Sequence, residues 1–104
     1  MKLWVDDCRP APEGYKWRKS VNTAKRFIKE MERMNDPFKL APIEVIDIDH
    51  DAGDFATDGG DYIKLLDWLE ETGRNYPIHI HSMNVVGRMN MEAICRRNNW
   101  TIVE

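Results

Sequence analysis

With 104 residues and a net charge of −3, from 15 Lys plus Arg against 18 Asp plus Glu, the chain has the size and balance of one domain, residues 1–104, with a modest core. This charge makes no field able to drive general nucleic-acid binding, and no apolar run approaches the ~20 residues of a membrane span. The two cysteines, Cys8 and Cys95, are too few and too far apart for a secreted disulfide scaffold or a zinc knuckle, and the amino terminus lacks a signal-peptide core, so a soluble, reducing, cytoplasmic setting is expected.

Lys2-Leu3-Trp4-Val5 reads as a strand with Leu3 and Val5 on one face and Lys2, Trp4 and Asp6 on the other. It runs into Asp6-Asp7. Cys8 to Gly14 carries Pro10 and Pro12, which remove backbone donors and hold their predecessors extended, so this stretch is a crossing loop. Tyr15 to Arg18 is a short strand, and Ser20 is placed to cap the helix that follows. Val21, Ala24, Phe27, Ile28, Met31 and Met34 form one face of that amphipathic helix, which Asn35-Asp36-Pro37 should end.

The central strand, from Ile43 to Ile48, stops abruptly in Asp49-His50-Asp51-Ala52-Gly53-Asp54. A Gly- and Asp-rich loop leads to a second helix with Tyr62, Ile63, Leu65, Leu66 and Leu69 inward, ending near Gly73. Ile78-His79-Ile80-His81 is another strand and runs into Ser82-Met83-Asn84. A third helix reaches about Arg97 with Met91, Ile94 and Cys95 on one side, and Trp100-Thr101-Ile102-Val103 is a closing strand.

This order predicts an α/β fold with a mostly parallel five-stranded sheet. In the flavodoxin-like order 2-1-3-4-5 the three helical crossovers step one way, and right-handedness puts all three helices on one face. Leu3, Val5, Ile46, Ile48, Ile78 and Ile80 would then lie under the helices. Trp4, Asp6, Asp47, Asp49, His79 and His81 would face the open side, with Trp4, Trp100 and Ile102 forming a patch suited to a homodimer.

Three strands ending in polar groups point to chemistry at the carboxyl edge of the sheet. Asp6, Asp7, Asp49 and Asp51 have the oxygen ligands that suit Mg²⁺ or Mn²⁺, although acids at a solvated edge also serve as loop caps. His79 and His81 point the same way, about 7 Å apart from two steps of strand rise, and suit a shared phosphate or metal; an isolated pair of this kind is more often mere surface. Asp49-His50-Asp51 on the neighbouring strand supplies carboxylates able to fix a tautomer. Ser82 and Asn84 fit a phosphate oxygen or a helix cap equally well. Arg9 and Arg88 have the forked donors of a phosphate clamp, while Trp4 on the open face is placed to stack a base or to pack.

Asp6-Asp7, Asp49 and Ser82, each at a strand end, resemble the response-regulator receiver pattern, in which acids hold a divalent cation beside a phosphoacceptor aspartate. The closer resemblance is to the receiver-like family predicted to process cyclic phosphates. It is carried by Lys2-Leu3-Trp4-Val5-Asp6-Asp7, Arg9-Pro10-Ala11-Pro12-Glu13-Gly14, Asp49-His50-Asp51, His79-Ile80-His81-Ser82, Asn84 and Gly87-Arg88-Met89-Asn90-Met91. The chain departs from an ordinary receiver in three ways: the first and last helices are missing, and Val103 is followed by Glu104 where a lysine is expected. Phosphorelay signalling is therefore disfavoured.

The resemblance implies a metal-assisted phosphoesterase acting on a cyclic phosphate of a nucleotide or nucleotide-like molecule. Asp6, Asp7, Asp49 and Asp51 are the expected ligands of Mg²⁺ or Mn²⁺. His79, His81, Asp49 and His50 are the catalytic candidates, and Arg9, Ser82, Asn84 and Arg88 the substrate-binding ones. The rival readings are a degenerate receiver-like module that binds a nucleotide or protein partner without turnover, and a phosphoacceptor using Asp49.

Overall fold

A computed structural model describes residues 1–34 and 43–104. In order these form β1 (Lys2–Val5), β2 (Tyr15–Arg18), α1 (Val21–Met34), β3 (Val45–Ile48), a 3-10 turn (Gly53–Thr57), α2 (Ile63–Glu71), β4 (Ile78–Ile80) and α3 (Val85–Arg97). The stop signal Asn35-Asp36-Pro37 lies outside the described residues.

The strands pair in parallel in the order β2-β1-β3-β4. Four strands stand where five were expected. Trp100 to Val103 contributes only one bridge, Ile78 with Ile102, held by the Ile78 N–H on the Thr101 carbonyl at 2.9 Å and the Val103 N–H on the Ile78 carbonyl at 2.7 Å. The reason is local. Asn99 takes a left-handed φ of 57°, the Trp100 N–H returns to the Cys95 carbonyl, and the indole turns into the core at 7% exposure.

Leu3, Val5, Ile46, Ile48, Ile78 and Ile80 are all buried, and they join Ala24, Ile28, Leu65, Leu66, Leu69, Met91 and Ile94 in one hydrophobic cluster. The alternation of the strands and the 3.6-residue period of the helices thus meet in a single layer, with α1, α2 and α3 on the same face. Trp100 belongs to this layer and not to the open face where it was expected.

The step from β1 to β2 runs opposite to the helical crossovers, so the right-handed rule sends its connection over the other face. The proline loop takes that path. Its Arg9 carbonyl accepts from the Trp4 indole at 2.9 Å, while the Arg9 guanidinium donates to the His81 carbonyl at 3.3 Å. Trp4, Tyr15 and Trp17 are left partly buried, so this face shows less apolar surface than the homodimer expectation assumed.

Candidate active site

Pairing continues one step past the strand ends: the Asp49 N–H reaches the Val5 carbonyl and the His81 N–H the Ile48 carbonyl, both at 3.0 Å. Because Val5, Ile48 and Ile80 are in register, the next residues, Asp6, Asp49 and His81, stand side by side at the carboxyl edge. Their ligand atoms lie within 4.8 Å of one another. One pleat earlier, Trp4, Asp47 and His79 form the adjacent row on the same face.

His81 is held at both ring nitrogens. Nδ1 lies 2.6 Å from Asp47 Oδ1 and Nε2 2.9 Å from Asp6 Oδ2, and since ionised carboxylates only accept, this pairing favours the doubly protonated imidazolium. The Trp4 indole stacks on it with centroids 4.0 Å apart and planes 4° from parallel. Burial alone would lower the His81 pKa, but the hydrogen bonds to Asp47 and Asp6 outweigh it and the value is raised. Burial likewise works to raise the Asp6 pKa. The backbone N–H groups of Cys8 and Arg9, each at 2.9 Å, together with His81, hold it below the ordinary value instead.

His79 is arranged differently. Its Nδ1 lies 2.8 Å from the same Asp47 Oδ1, its side chain is 35% exposed, and its Nε2 has no hydrogen-bond partner among the described residues. It lines a cleft of about 310 Å³ together with Arg88, Glu92 and Arg96.

The remaining expected residues divide into those that join this cluster and those that do not. Asp49 Oδ1 accepts from the His50 N–H at 2.7 Å. Asp7 packs so closely on Gly53 that a Cβ there would meet its Oδ2 at 2.5 Å, and the φ of 56° at Gly53 is itself a glycine conformation. Asp51 is exposed and turned to His50 Nδ1 at 2.8 Å, away from the convergence of Asp6, Asp49 and His81. Asn84 caps α3 by accepting from the Gly87 N–H at 2.9 Å, and the buried Ser82 hydroxyl accepts from the Asn84 N–H at 3.0 Å. Arg88 pairs with Glu92 at 3.1 Å but remains on the wall of the His79 cleft.

His50 rests on the backbone of α3, where a Cβ at Gly87 would stand 2.3 Å from the ring. Gly87→Ala should therefore destabilise by about 1–3 kcal/mol through overpacking, although alanine is the better helix former. Denaturant midpoints in a cycle with His50→Ala test this: the cost should vanish in the double variant, and a stabilised single variant would refute the contact.

Asp47 was missing from the expected site. Its signal was present in the strand period, which put it on the face of His79 and His81, but which residue lies across from it depends on register. It is 5% exposed, and both histidines converge on its Oδ1.

A parallel sheet of this order, with helices on one face and acids at its carboxyl edge, defines a receiver-like α/β domain. The family model of the cyclic-phosphate processing Receiver domain matches residues 1–97, and the chain belongs to that family. No curated protein and no solved structure matches the chain. Among the described residues no helix is long and apolar enough to cross a membrane.

Proposed function

We propose that this domain is a metal-assisted phosphoesterase that opens a cyclic phosphate of a nucleotide or nucleotide-like molecule. The observation that carries the reading is a cation-type donor set at the sheet edge and, one pleat back on the same face, a cleft-lining histidine, His79, whose Nε2 has no hydrogen-bond partner among the described residues. Two carboxylates and an imidazole within 4.8 Å suit a hard to borderline ion, Mg²⁺ or Mn²⁺. Asp6, Asp49 and His81 would hold it, with Asp7 beside them, and His81 Nε2 would release its proton as the ion binds. When bound, the ion supplies neutralisation of phosphate charge.

The chain's own groups provide the rest. His79 Nε2 is placed to take a proton from water or give one to the departing oxygen, and Arg88 on the same cleft wall offers a guanidinium to the phosphate. His50, braced by Asp51 and Gly87 at the same edge, is the candidate for the second proton transfer. Arg9 lies over this edge through its contact with the His81 carbonyl, and Ser82 and Asn84 hold the turn into α3.

The test is a panel of cyclic mononucleotides, 2′,3′-cyclic phosphates, cyclic oligonucleotides and cyclic ADP-ribose species, each with Mg²⁺, Mn²⁺ or EDTA. Turnover that EDTA abolishes is expected for at least one. Melting shifts without turnover would make the domain a binding module instead. Mn²⁺ alone should raise the melting temperature, and Asp49→Asn should blunt the rise; equal shifts in both proteins would place the ion elsewhere.

A further inference from the structure

The geometry points to Asp47 as the positioning residue that gives His79 and His81 different roles, through one carboxylate oxygen shared by both rings. This rests on the reading of the site as a phosphoesterase centre. Asp47 is the cross-strand partner of His79 in the β3–β4 register, and His81 is the diagonal neighbour two residues on, so one short side chain reaches both Nδ1 atoms, at 2.8 Å and 2.6 Å. Burial makes the arrangement obligatory. A carboxylate 5% exposed in mid-strand needs partners, and the two imidazoles are its only hydrogen-bond partners among the described residues.

For His79, accepting from Nδ1–H leaves the lone pair of the neutral ring on Nε2, the nitrogen without a partner among the described residues, so the ring is held as a proton acceptor there. For His81, the same contact at Nδ1 aims Nε2 at Asp6 and Asp49, the relation of a carboxylate standing behind a metal-binding histidine. A single acid in the strand thus orients a proton-transfer ring and a ligand ring. Neighbouring Ile46 and Ile48 point into the core, so the β3 backbone fixes where that acid stands.

The experiment is histidine side-chain ¹⁵N NMR on the full chain in EDTA, for wild type and Asp47→Ala, with Mn²⁺ titrated separately by calorimetry. The wild-type His79 ring, when neutral, is expected as the Nδ1–H tautomer, and Asp47→Ala should move it towards Nε2–H while weakening Mn²⁺ binding about 10–100-fold. A wild-type His79 found as Nε2–H overturns the inference without any variant, so a failure of Asp47→Ala to fold does not protect it. An unchanged tautomer and unchanged Mn²⁺ affinity in a folded Asp47→Ala overturn it as well. The phosphoesterase reading fails separately, if wild type turns over no member of the cyclic-phosphate panel while the tautomer still depends on Asp47.

Discussion

His79→Ala is expected to lower turnover of a cyclic phosphodiester by about 10²–10⁴-fold while leaving both the fold and the Mn²⁺-induced melting shift in place. The ring is 35% exposed and its one hydrogen bond is to Asp47, which keeps its shorter contact to His81. Only a proton-transfer group is deleted. The sequence alone treated His79 and His81 alike, as catalytic candidates on one strand face, but the structure separates them: both nitrogens of His81 are engaged by carboxylates, whereas His79 Nε2 has no partner among the described residues. Steady-state rates on the most active compound of the panel decide the matter. If His79→Ala turns over like wild type, proton transfer belongs to another group, with His50 the next to replace.

What could be read before the structure was known follows the two side-chain periods. The alternation Leu3-Trp4-Val5, Ile46-Asp47-Ile48 and Ile78-His79-Ile80 sorted residues to faces, and all six aliphatic members are buried under helices whose inner faces were visible at 3.6-residue spacing. Pro10 and Pro12 marked the crossing loop. The closing strand failed because Trp100, Ile102 and Val103 are β-prone by composition, yet the bulk of Trp100 is worth more in the core than in a ladder at the sheet edge. The role of Asp47 was hidden for a different reason. Alternation fixes a face but not a partner, and a slip of two residues would keep every face while setting His79 against Asp49. Only the pairing of β3 with β4, which joins Ile46 to Ile78, puts Asp47 across from His79.

The largest effect on stability is expected at His81. Its ring joins Asp6, which is fully buried, to Asp47, and removing it leaves two enclosed carboxylates without their common counter-ion and Trp4 without its stacked neighbour. Breaking one side of such a buried arrangement costs about 3–5 kcal/mol, so His81→Ala should be strongly destabilised, whereas His79→Ala should not. The pH dependence follows from the two shifts. The folded pKa of His81 lies above its ordinary 6.5, so its contribution is complete below 6.5 and is lost as pH rises through the raised value. The folded pKa of Asp6 lies below its ordinary 3.8, so its contribution is complete above 3.8 and is lost as pH falls through the lowered value. The metal-free protein should therefore hold its greatest stability from these groups between the two ordinary values and weaken as the pH is raised beyond the imidazole range. Urea midpoints in EDTA, measured across that alkaline limb, should fall for wild type and for His79→Ala but lose this component of the slope in His81→Gln. An equally steep fall in His81→Gln would mean that His81 does not carry the charge that joins Asp6 to Asp47.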